Sequence, residues 1–235
     1  MKWNDERLLA CEVDACYGLV PDSGSPPAVR DPTVLAVWAW SPAARLLAYG
    51  PDAPRREPHD IDGQPYEPGR RPEALDRLAA SLGGGAASVE GGPCWVFPPE
   101  PTAPEPAAGL PLLVSGAEGR RAARHLLRPA NWQPGEWGEL IDGRLGEWAM
   151  AVHGREPVSV CHTPAATGTA AEAGIWTRPD FRGRGLAPAC VAAWSHREGQ
   201  VRDVLFYSTT ADNHASRAVA RRLGLRPLGW IWTVR

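Results

Sequence analysis

The sequence predicts a protein of the α/β class (α+β, with a mixed sheet), in which helices pack on the faces of the sheet. The main observation is a regular alternation from about Leu110 onward, where short apolar runs typical of strands alternate with segments of helical periodicity. The predicted order there is β-α-α-β-β-β-α-β-α-β, and helices interleaved with strands in this way pack on the faces of a sheet. The composition agrees, because 43% hydrophobic and 22% charged residues are ordinary for a globular domain.

The predicted elements of this part can be placed on the chain. The strands cover residues 112–114, 148–152, 158–161, 170–177, 204–208 and 229–234, and the helices cover residues 118–127, 135–141, 186–197 and 215–223. A tight turn at residues 153–156 joins the second and third strands. The first helix is expected to stop before Pro129, because proline disfavours helix in the residue that precedes it.

The first 109 residues have a less regular pattern. Two proline-rich stretches that are poor in apolar residues, at 51–71 and 98–111, are typical of linkers or long loops. Outside them the sequence predicts helices at 6–16 and 72–82 and strands at 34–40 and 94–97. We therefore predict two parts: residues 1–109, an N-terminal extension or small domain of unknown role, and residues 110–235, a single domain.

Charge, cysteines and hydropathy exclude several classes of protein. The net charge of −2 does not favour a binder of nucleic acid or of membrane surfaces. The five cysteines include no CxxC pair, so neither a disulfide framework nor a zinc site is indicated, and no metal is expected. The N-terminus lacks the apolar stretch of a signal peptide, and no apolar run approaches the roughly 18 residues of a membrane span. We therefore expect free thiols in a cytoplasmic protein without a membrane partner.

A loop rich in glycine and arginine is the strongest motif. It consists of Arg182, Gly183, Arg184, Gly185, Leu186 and Ala187, between the strand predicted at 170–177 and the helix predicted at 186–197. Glycines allow close backbone approach, and a helix N-terminus offers unpaired N–H groups and the positive end of a dipole. Arginines add charge and forked donors, so the loop suits a pyrophosphate. It is neither a P-loop, which needs GxxxxGK[ST], nor a dinucleotide fingerprint, since Pro188 stands where the third glycine or alanine belongs.

The loop does fit a third pattern, [Q/R]-x-x-G-x-[G/A], through Arg182, Gly185 and Ala187. Upstream lies EAGIWT at 172–177, and downstream lie DNHAS at 212–216 and RRLGL at 221–225. In this order and at this spacing, the three segments resemble the acetyl-CoA-binding part of the GNAT superfamily of N-acetyltransferases. The resemblance covers roughly residues 110–235 and leaves the first 109 residues outside it.

The resemblance implies a GNAT fold with an N-terminal extension, and acetyl-CoA as co-substrate. In that family two central strands splay apart and pantetheine lies between them. The residues implied in coenzyme binding are Ile175, Trp176 and Thr177 for the pantetheine, Arg182, Gly183, Arg184, Gly185, Leu186 and Ala187 for the pyrophosphate, and Asn213 and Ser216 after the strand at 204–208. Asn213 also stands where a helix N-cap is expected, and the two roles are compatible. From Arg178 onward ten arginines stand against four acids, which suits a polyanion such as coenzyme A.

The resemblance also implies direct transfer, in which a neutral amine attacks the thioester carbon. Because amines are mostly protonated at pH 7, a base or a water relay must take a proton. Glu172 is the first candidate, since relatives resembling ribosomal-protein acetyltransferases carry glutamate there; a structural glutamate is the alternative. His162 on the preceding strand is the second candidate, against a structural histidine. Many family members protonate the leaving thiolate with a tyrosine seven residues after the asparagine, where this chain has Ala220, so Tyr207 or water is left for that role.

The sequence leaves the acceptor open. We expect a small-molecule primary amine, in a pocket that Trp132 and Trp137 help to line together with residues of the N-terminal part. A protein N-terminus or an aminoacyl-tRNA is the alternative acceptor, although a tRNA would require a wider basic surface. A module that holds acyl-CoA without turnover is a further alternative, favoured by the missing tyrosine. A homodimer is compatible with the sequence, but nothing in it requires one.

Overall fold

The computed structural model describes residues 3–20, 26–54, 65–83, 87–99 and 109–235. The chain falls into two compact units, neither of which is contiguous in sequence. The first comprises Met1–Val96, Ser208–Ser216 and Arg226–Arg235, and the second comprises Phe97–Tyr207 and Arg217–Leu225. The stretches predicted as linkers lie partly outside the described residues, at 55–64 and 100–108. Within the described ranges, no helix is both long enough and apolar enough to cross a bilayer.

Helices and strands alternate along most of the described chain. The helices are α1 (Asp5–Tyr17), α2 (Glu73–Gly83), α3 (Ala117–Ala123), α4 (Pro134–Ile141), α5 (Leu186–Glu198) and α6 (His214–Arg222). The strands are β1 (Leu19–Val20), β2 (Ala28–Val29), β3 (Ala36–Trp40), β4 (Arg45–Tyr49), β5 (Val89–Val96), β6 (Leu112–Val114), β7 (Ala149–His153), β8 (Glu156–Ala166), β9 (Ala170–Thr177), β10 (Val204–Ser208) and β11 (Arg226–Val234).

The sheet of the second unit has the strand order β10-β9-β8-β7-β6. The pairs from β6 to β9 are antiparallel, whereas β9 and β10 are parallel. The mixed sheet with helices that the sequence predicts is therefore confirmed.

The two faces of this sheet are covered by different elements. One face packs against an aromatic cluster built with α3 and α4, which includes Trp132, Trp137 and Trp148. Helix α5 lies on the other face, where Trp194 donates its indole N–H to Thr163 Oγ1 at 2.9 Å. A side chain on β8 or β9 therefore faces either the aromatic cluster or α5.

A buried carboxylate fixes the C-terminal end of α5. Glu198 is 1% exposed and accepts the backbone N–H of Glu147 and the hydroxyl of Thr163, both at 3.0 Å. Arg202 lies 3.4 Å from the same carboxylate, and Arg197 pairs with Glu147 at 3.1 Å. A buried charge with this many partners anchors the helix against β7 and β8. The anchor also sets the direction of the opposite, N-terminal end of α5, where the glycine-rich loop lies.

The sheet of the first unit has the strand order β1-β2-β4-β3-β11-β5. Strand β11 lies between β3 and β5 and is antiparallel to both. Trp230 lies opposite Trp40, and Trp232 lies opposite Trp38, so four tryptophans share one face. That face is covered by α2 through Leu75 and its neighbours.

Several predicted bounds are confirmed and others are corrected. The strands at 112–114, 170–177 and 204–208 have the predicted bounds. The helix predicted over 118–127 is wrong at its C-terminal end: it ends at Ala123, and the Leu127 N–H bonds to the Arg155 carbonyl at 2.8 Å instead of continuing the helix. The strand predicted at 94–97 begins earlier, at Val89. Glycine is unfavourable in strands, but a Cβ on Gly91 would lie 2.4 Å from the Trp232 ring, so this strand requires it.

The boundary predicted between residues 109 and 110 divides the chain differently from the compact units. Strand β11 lies in the predicted C-terminal domain, yet its neighbours are β3 and β5 of the first unit. The predicted domains were read from composition along the sequence, which does not report such long-range pairing. That division stays a prediction.

A fragment of residues 110–235 is expected to aggregate. It would keep Trp230 and Trp232 on β11 but lose both strands that flank β11, which leaves unpaired edges beside a large apolar face. A fragment of residues 110–225, which ends before β11, is the matched control and is expected to be more soluble. Size-exclusion chromatography measures the monomeric fraction of each. A monomeric 110–235 fragment that unfolds cooperatively would contradict this expectation.

Candidate functional site

Strands β9 and β10 separate within the sheet of the second unit. They pair at three positions, the last of which places Phe206 opposite Glu172. Beyond this point β9 continues to Thr177 and stays paired with β8, where Ser159 lies opposite Thr177. A gap therefore opens along the β10 side of β9, immediately after Glu172.

The backbone of Ile175 faces this gap. The Arg178 N–H donates to the Val158 carbonyl of β8 at 2.9 Å, so in an antiparallel ladder the peptide groups of Ile175 and Thr177 face away from β8. The Thr177 carbonyl accepts a hydrogen bond from Arg182 Nε at 3.2 Å. No hydrogen bond from another described residue reaches the N–H or C=O of Ile175. The gap thus offers a strand-type donor and acceptor to an extended ligand with amide groups.

The glycine-rich loop connects β9 to α5. A 3-10 turn at Pro179–Phe181 leads into it, and Gly183 and Gly185 have φ of 75° and 76°, in the left-handed region that favours glycine. Gly185 is the N-cap of α5 and provides no side-chain cap. Among the described residues, no acceptor takes the backbone N–H groups of residues 183–185. With Leu186 and Ala187 in the first turn of α5, the loop places free N–H groups at the positive end of a helix dipole.

Arg182 and Arg184 are exposed, and each is anchored by one nitrogen. Arg182 Nε donates to the Thr177 carbonyl at 3.2 Å, and Arg184 Nη2 donates to the Asp180 carbonyl at 3.0 Å. Within the described part of the chain, neither side chain has a carboxylate within salt-bridge distance. Their remaining N–H groups and their charge are therefore available for an anion.

Arg222 is a neighbour of the loop that the sequence reasoning missed. Its Nη1 lies 3.6 Å from the place that a Cβ on Gly185 would occupy. Arg222 belongs to the last turn of α6, 37 positions after Gly185 in the printed numbering. The sequence analysis included Arg222 in the segment RRLGL and in the excess of arginine, but it did not assign Arg222 to the loop, because the approach of α6 to the loop is a tertiary feature.

Both candidate bases face the same side of the sheet. Side chains alternate along a strand, so Glu172, Gly174 and Trp176 share one face of β9. Trp176 packs against the aromatic cluster on that face, and His162 of β8 lies opposite Gly174. Glu172 is 6% exposed and belongs to the last residue pair before the gap. The predicted bases are therefore one strand apart, on the face opposite α5.

His162 is positioned by a tryptophan and by a glycine. The Trp132 ring centroid lies 4.9 Å from that of His162, at an interplanar angle of 74°. A Cβ on Gly174 would lie 2.6 Å from His162 Cε1, so only glycine leaves room for the imidazole. Burial lowers the pKa of His162, against the smaller opposite effects of the Gly174 backbone and Glu136. His162 is therefore neutral at pH 7 and can accept a proton.

Tyr207 is not brought together with the two candidate bases. It is 1% exposed, and it follows Phe206, the residue opposite Glu172. Alternation along β10 places the Tyr207 side chain on the other face of the sheet, the face of α5. Its role as the acid stays a prediction, and the geometry adds nothing in its favour.

The segment after β10 contains an N-cap. Asn213 Oδ1 accepts the backbone N–H of Ser216 at 3.0 Å, so the predicted capping role of Asn213 is confirmed. The coenzyme-binding roles of Asn213 and Ser216 stay predictions. Ala220, at the place of the family tyrosine, is fully buried at 0% exposure.

Trp132 and Trp137, predicted to line an acceptor pocket, belong largely to the core. They are 4% and 7% exposed, and their ring centroids lie 6.2 Å apart in an edge-to-face arrangement. Trp132 also contacts His162. The pair therefore lies beside His162, and its role in lining an acceptor pocket stays a prediction.

Residues 116–226 match the model of the acetyltransferase (GNAT) domain family. No curated protein matches the sequence significantly.

Solved structures with a similar arrangement include several GNAT proteins. One from Novosphingobium aromaticivorans is 17% identical, with a TM-score of 0.46 over 72% of this chain and 70% of that chain. One from Streptococcus suis is 18% identical, with a TM-score of 0.46 over 70% of this chain and 68% of that chain. A GNAT protein from Kribbella flavida is 20% identical, with a TM-score of 0.46 over 69% of this chain and 63% of that chain.

Residues 116–226 are thus similar to the GNAT acetyltransferase domain, within the part of the chain where the sequence predicts it.

Proposed function

We propose that this protein is an N-acetyltransferase, which moves the acetyl group of acetyl-CoA to the primary amine of a small molecule by direct attack. One observation carries the proposal: the gap beside Ile175 leads directly into the loop at the N-terminus of α5. An extended amide chain that ends in a pyrophosphate, as in coenzyme A, matches a strand edge that is followed by an anion site.

Each part of this site has a distinct task in holding the coenzyme. The N–H and C=O of Ile175 pair with the pantetheine amides in the manner of an added strand. The N–H groups of residues 183–185, with Arg184 and Arg222, neutralise the pyrophosphate. Trp176 and Thr177 connect Ile175 to the loop, so the pantetheine is held along the end of β9 and the pyrophosphate is held in the loop that follows it.

Acetyl transfer requires one proton to leave the amine. The amine nitrogen attacks the thioester carbon, the new N–C bond forms and the C–S bond breaks, and coenzyme A leaves as a thiolate. Glu172 accepts the proton, directly or through a water, since it lies at the end of the gap where the thioester would be. His162, neutral and on the same face, is the second acceptor for that proton. The thiolate then takes a proton from solvent or from the base.

A small-molecule acceptor fits the charge of the protein better than a tRNA does. The net charge is −2, and the excess of arginine is confined to the segment that begins at Arg178. All five cysteines lie in the described part of the chain as thiols and not as disulfides, which suits the reducing cytoplasm that we propose as the location.

A non-catalytic acyl-CoA-binding module is the second candidate, and one observation favours it. Ala220 is buried where many relatives carry the tyrosine that protonates the thiolate. A domain that has lost its acid could keep the coenzyme and not turn it over.

Release of free thiol from acetyl-CoA separates the two candidates. With a panel of small primary amines, we expect thiol release that depends on both protein and amine, and an acetylated amine detected by mass spectrometry. Peptides and aminoacyl-tRNA in the same assay test the alternative acceptors, and light scattering of the same sample tests for a homodimer. Binding of acetyl-CoA without thiol release for any acceptor class would favour the binding module.

A further inference from the structure

Phe181, which the sequence motif does not include, lies close to Arg178 and to Arg184 of the glycine-rich loop at residues 182–187, called the phosphate loop below. It ends the 3-10 turn before the loop and is 6% exposed. The guanidinium carbon of Arg178 lies 4.4 Å from the Phe181 ring centroid, and that of Arg184 lies 4.6 Å from it. Both are within the range of about 6 Å in which a cation is attracted to the face of a ring. The imidazole of His153 adds a tilted ring contact at 5.3 Å.

The two arginines differ in how their charge is compensated. Arg178 makes a forked contact with Asp180, at 2.8 Å and 3.0 Å, and a third bond to Glu156 at 2.7 Å. These contacts raise the pKa of Arg178 and lower that of Asp180, and they occupy the guanidinium with two carboxylates. Arg184 makes its hydrogen bond to the Asp180 backbone carbonyl and, among the described residues, has no carboxylate within salt-bridge distance. Because Asp180 and Glu156 neutralise Arg178, two guanidinium groups can share one ring without strong mutual repulsion.

The geometry points to Phe181 as a positioning residue of the phosphate loop: its ring holds the guanidinium of Arg184 in place before the coenzyme binds. Arg178 is the fixed side of this clamp, since its ion pairs with Glu156 and Asp180 hold it to β8 and to the turn. Arg184 is the working side, that is, the side whose guanidinium charge is available to bind an anion. The inference rests on the proposed function for the identity of the anion, but the clamp itself is a property of the ligand-free protein.

The contact with Phe181 reduces the conformational entropy that Arg184 loses when the coenzyme binds. An exposed arginine has several rotatable bonds, and ordering it at the moment of binding weakens affinity. A ring that already restricts Arg184 removes part of that loss. The expected consequence is an effect on the affinity for the coenzyme and on KM, without a matching effect on kcat.

Replacing Phe181 by leucine keeps an apolar side chain and removes the ring. We expect Phe181→Leu to bind coenzyme A about three- to ten-fold more weakly in calorimetry, from the usual strength of one cation–π contact, with kcat nearly unchanged. Phe181→Tyr keeps the ring and should restore most of the affinity. Thermal unfolding of both variants shows whether either change acts through stability instead.

A double-mutant cycle identifies the arginine through which the ring acts. Arg184→Ala should weaken binding, and in that background Phe181→Leu should cost little more, because the clamp has already lost its working side. Fully additive losses would overturn the inference.

A spectroscopic test in the ligand-free protein does not depend on the coenzyme. The Nε–H resonance of Arg184, assigned by its loss in Arg184→Ala, should be shifted upfield by the ring current of Phe181. The shift should vanish in Phe181→Leu and persist in Phe181→Tyr. An unshifted resonance in the wild type overturns the clamp. If the wild type shows the shift but binds no coenzyme A, the proposed function is refuted and the contact between Phe181 and Arg184 is still supported. If the wild type shows the shift but Phe181→Leu binds coenzyme A as tightly as the wild type, the role of Phe181 in binding is overturned.

Discussion

Glu172→Gln is expected to lower kcat at pH 7 by about 10²–10⁴-fold, the usual contribution of a positioned base, and to leave the affinity for acetyl-CoA nearly unchanged. Glutamine has almost the same shape as glutamate, so the buried site at the end of the gap keeps its packing. What it loses is the ability to accept the proton of the attacking amine. Steady-state kinetics give kcat, and calorimetry gives the affinity.

The pH dependence of the Glu172→Gln defect gives a sharper test. As pH rises, more of the acceptor is already the free amine, so the need for a base falls and the defect should shrink. Glu139→Gln, an exposed glutamate on α4 of the same unit, is the matched control and should behave as wild type. If Glu172→Gln keeps the kcat of the wild type from pH 6 to pH 9, Glu172 has a structural role and is not the base. His162, which burial keeps neutral at pH 7, would then be the better candidate.

Gly185→Asp is expected to abolish coenzyme binding, with a loss of at least about 100-fold, since like charges in a site cost several kcal/mol. The new carboxylate would stand at the N-cap of α5, beside the free N–H groups and Arg222. An N-cap aspartate satisfies helix N–H groups and interacts favourably with the dipole. It would therefore occupy the phosphate site as a built-in anion and would not unfold the protein.

Gly185→Asn separates charge from shape. Asparagine has the size of aspartate and shares the strain of a side chain at a φ of 76°, which both residues tolerate better than most. We expect it to bind the coenzyme more weakly than wild type but clearly better than Gly185→Asp. Calorimetry compares the three proteins, and thermal unfolding confirms that they are folded. Equal affinity of Gly185→Asp and wild type would remove the loop from the coenzyme site.

The sequence was most informative where local patterns decide the structure. The strands at 170–177 and 204–208 are short apolar runs with clear ends. The glycine-rich loop after the first of them predicts the start of a helix from its composition alone, and α5 does begin there, at Leu186. The separation of these two strands was an expectation drawn from family resemblance, and in the structure their pairing ends at Phe206 and Glu172. The functional roles of Glu172, His162 and the loop residues remain predictions.

Features that depend on tertiary approach could not be predicted. Arg222 reaches the loop only because α6 passes beside it, and the Phe181 clamp requires three side chains to meet in space. Strand β4 was missed because it begins with an exposed arginine and has no regular alternation of burial. The faces on which Tyr207 and Glu172 lie follow from the register of β9 and β10, which a single sequence does not reveal.

The place of β11 between β3 and β5 constrains how the first unit can form during synthesis. Its strand β5 ends at Val96, whereas β11 begins only at Arg226. At about 5–20 residues per second, a ribosome needs on the order of ten seconds to make the intervening chain. Throughout that time β3 and β5 have no partner between them, and Trp38 and Trp40 lack the tryptophans that later face them. The edges of β3 and β5 that later pair with β11 therefore stay unpaired in the nascent chain until β11 has been made, so the sheet of the first unit can close only at that point.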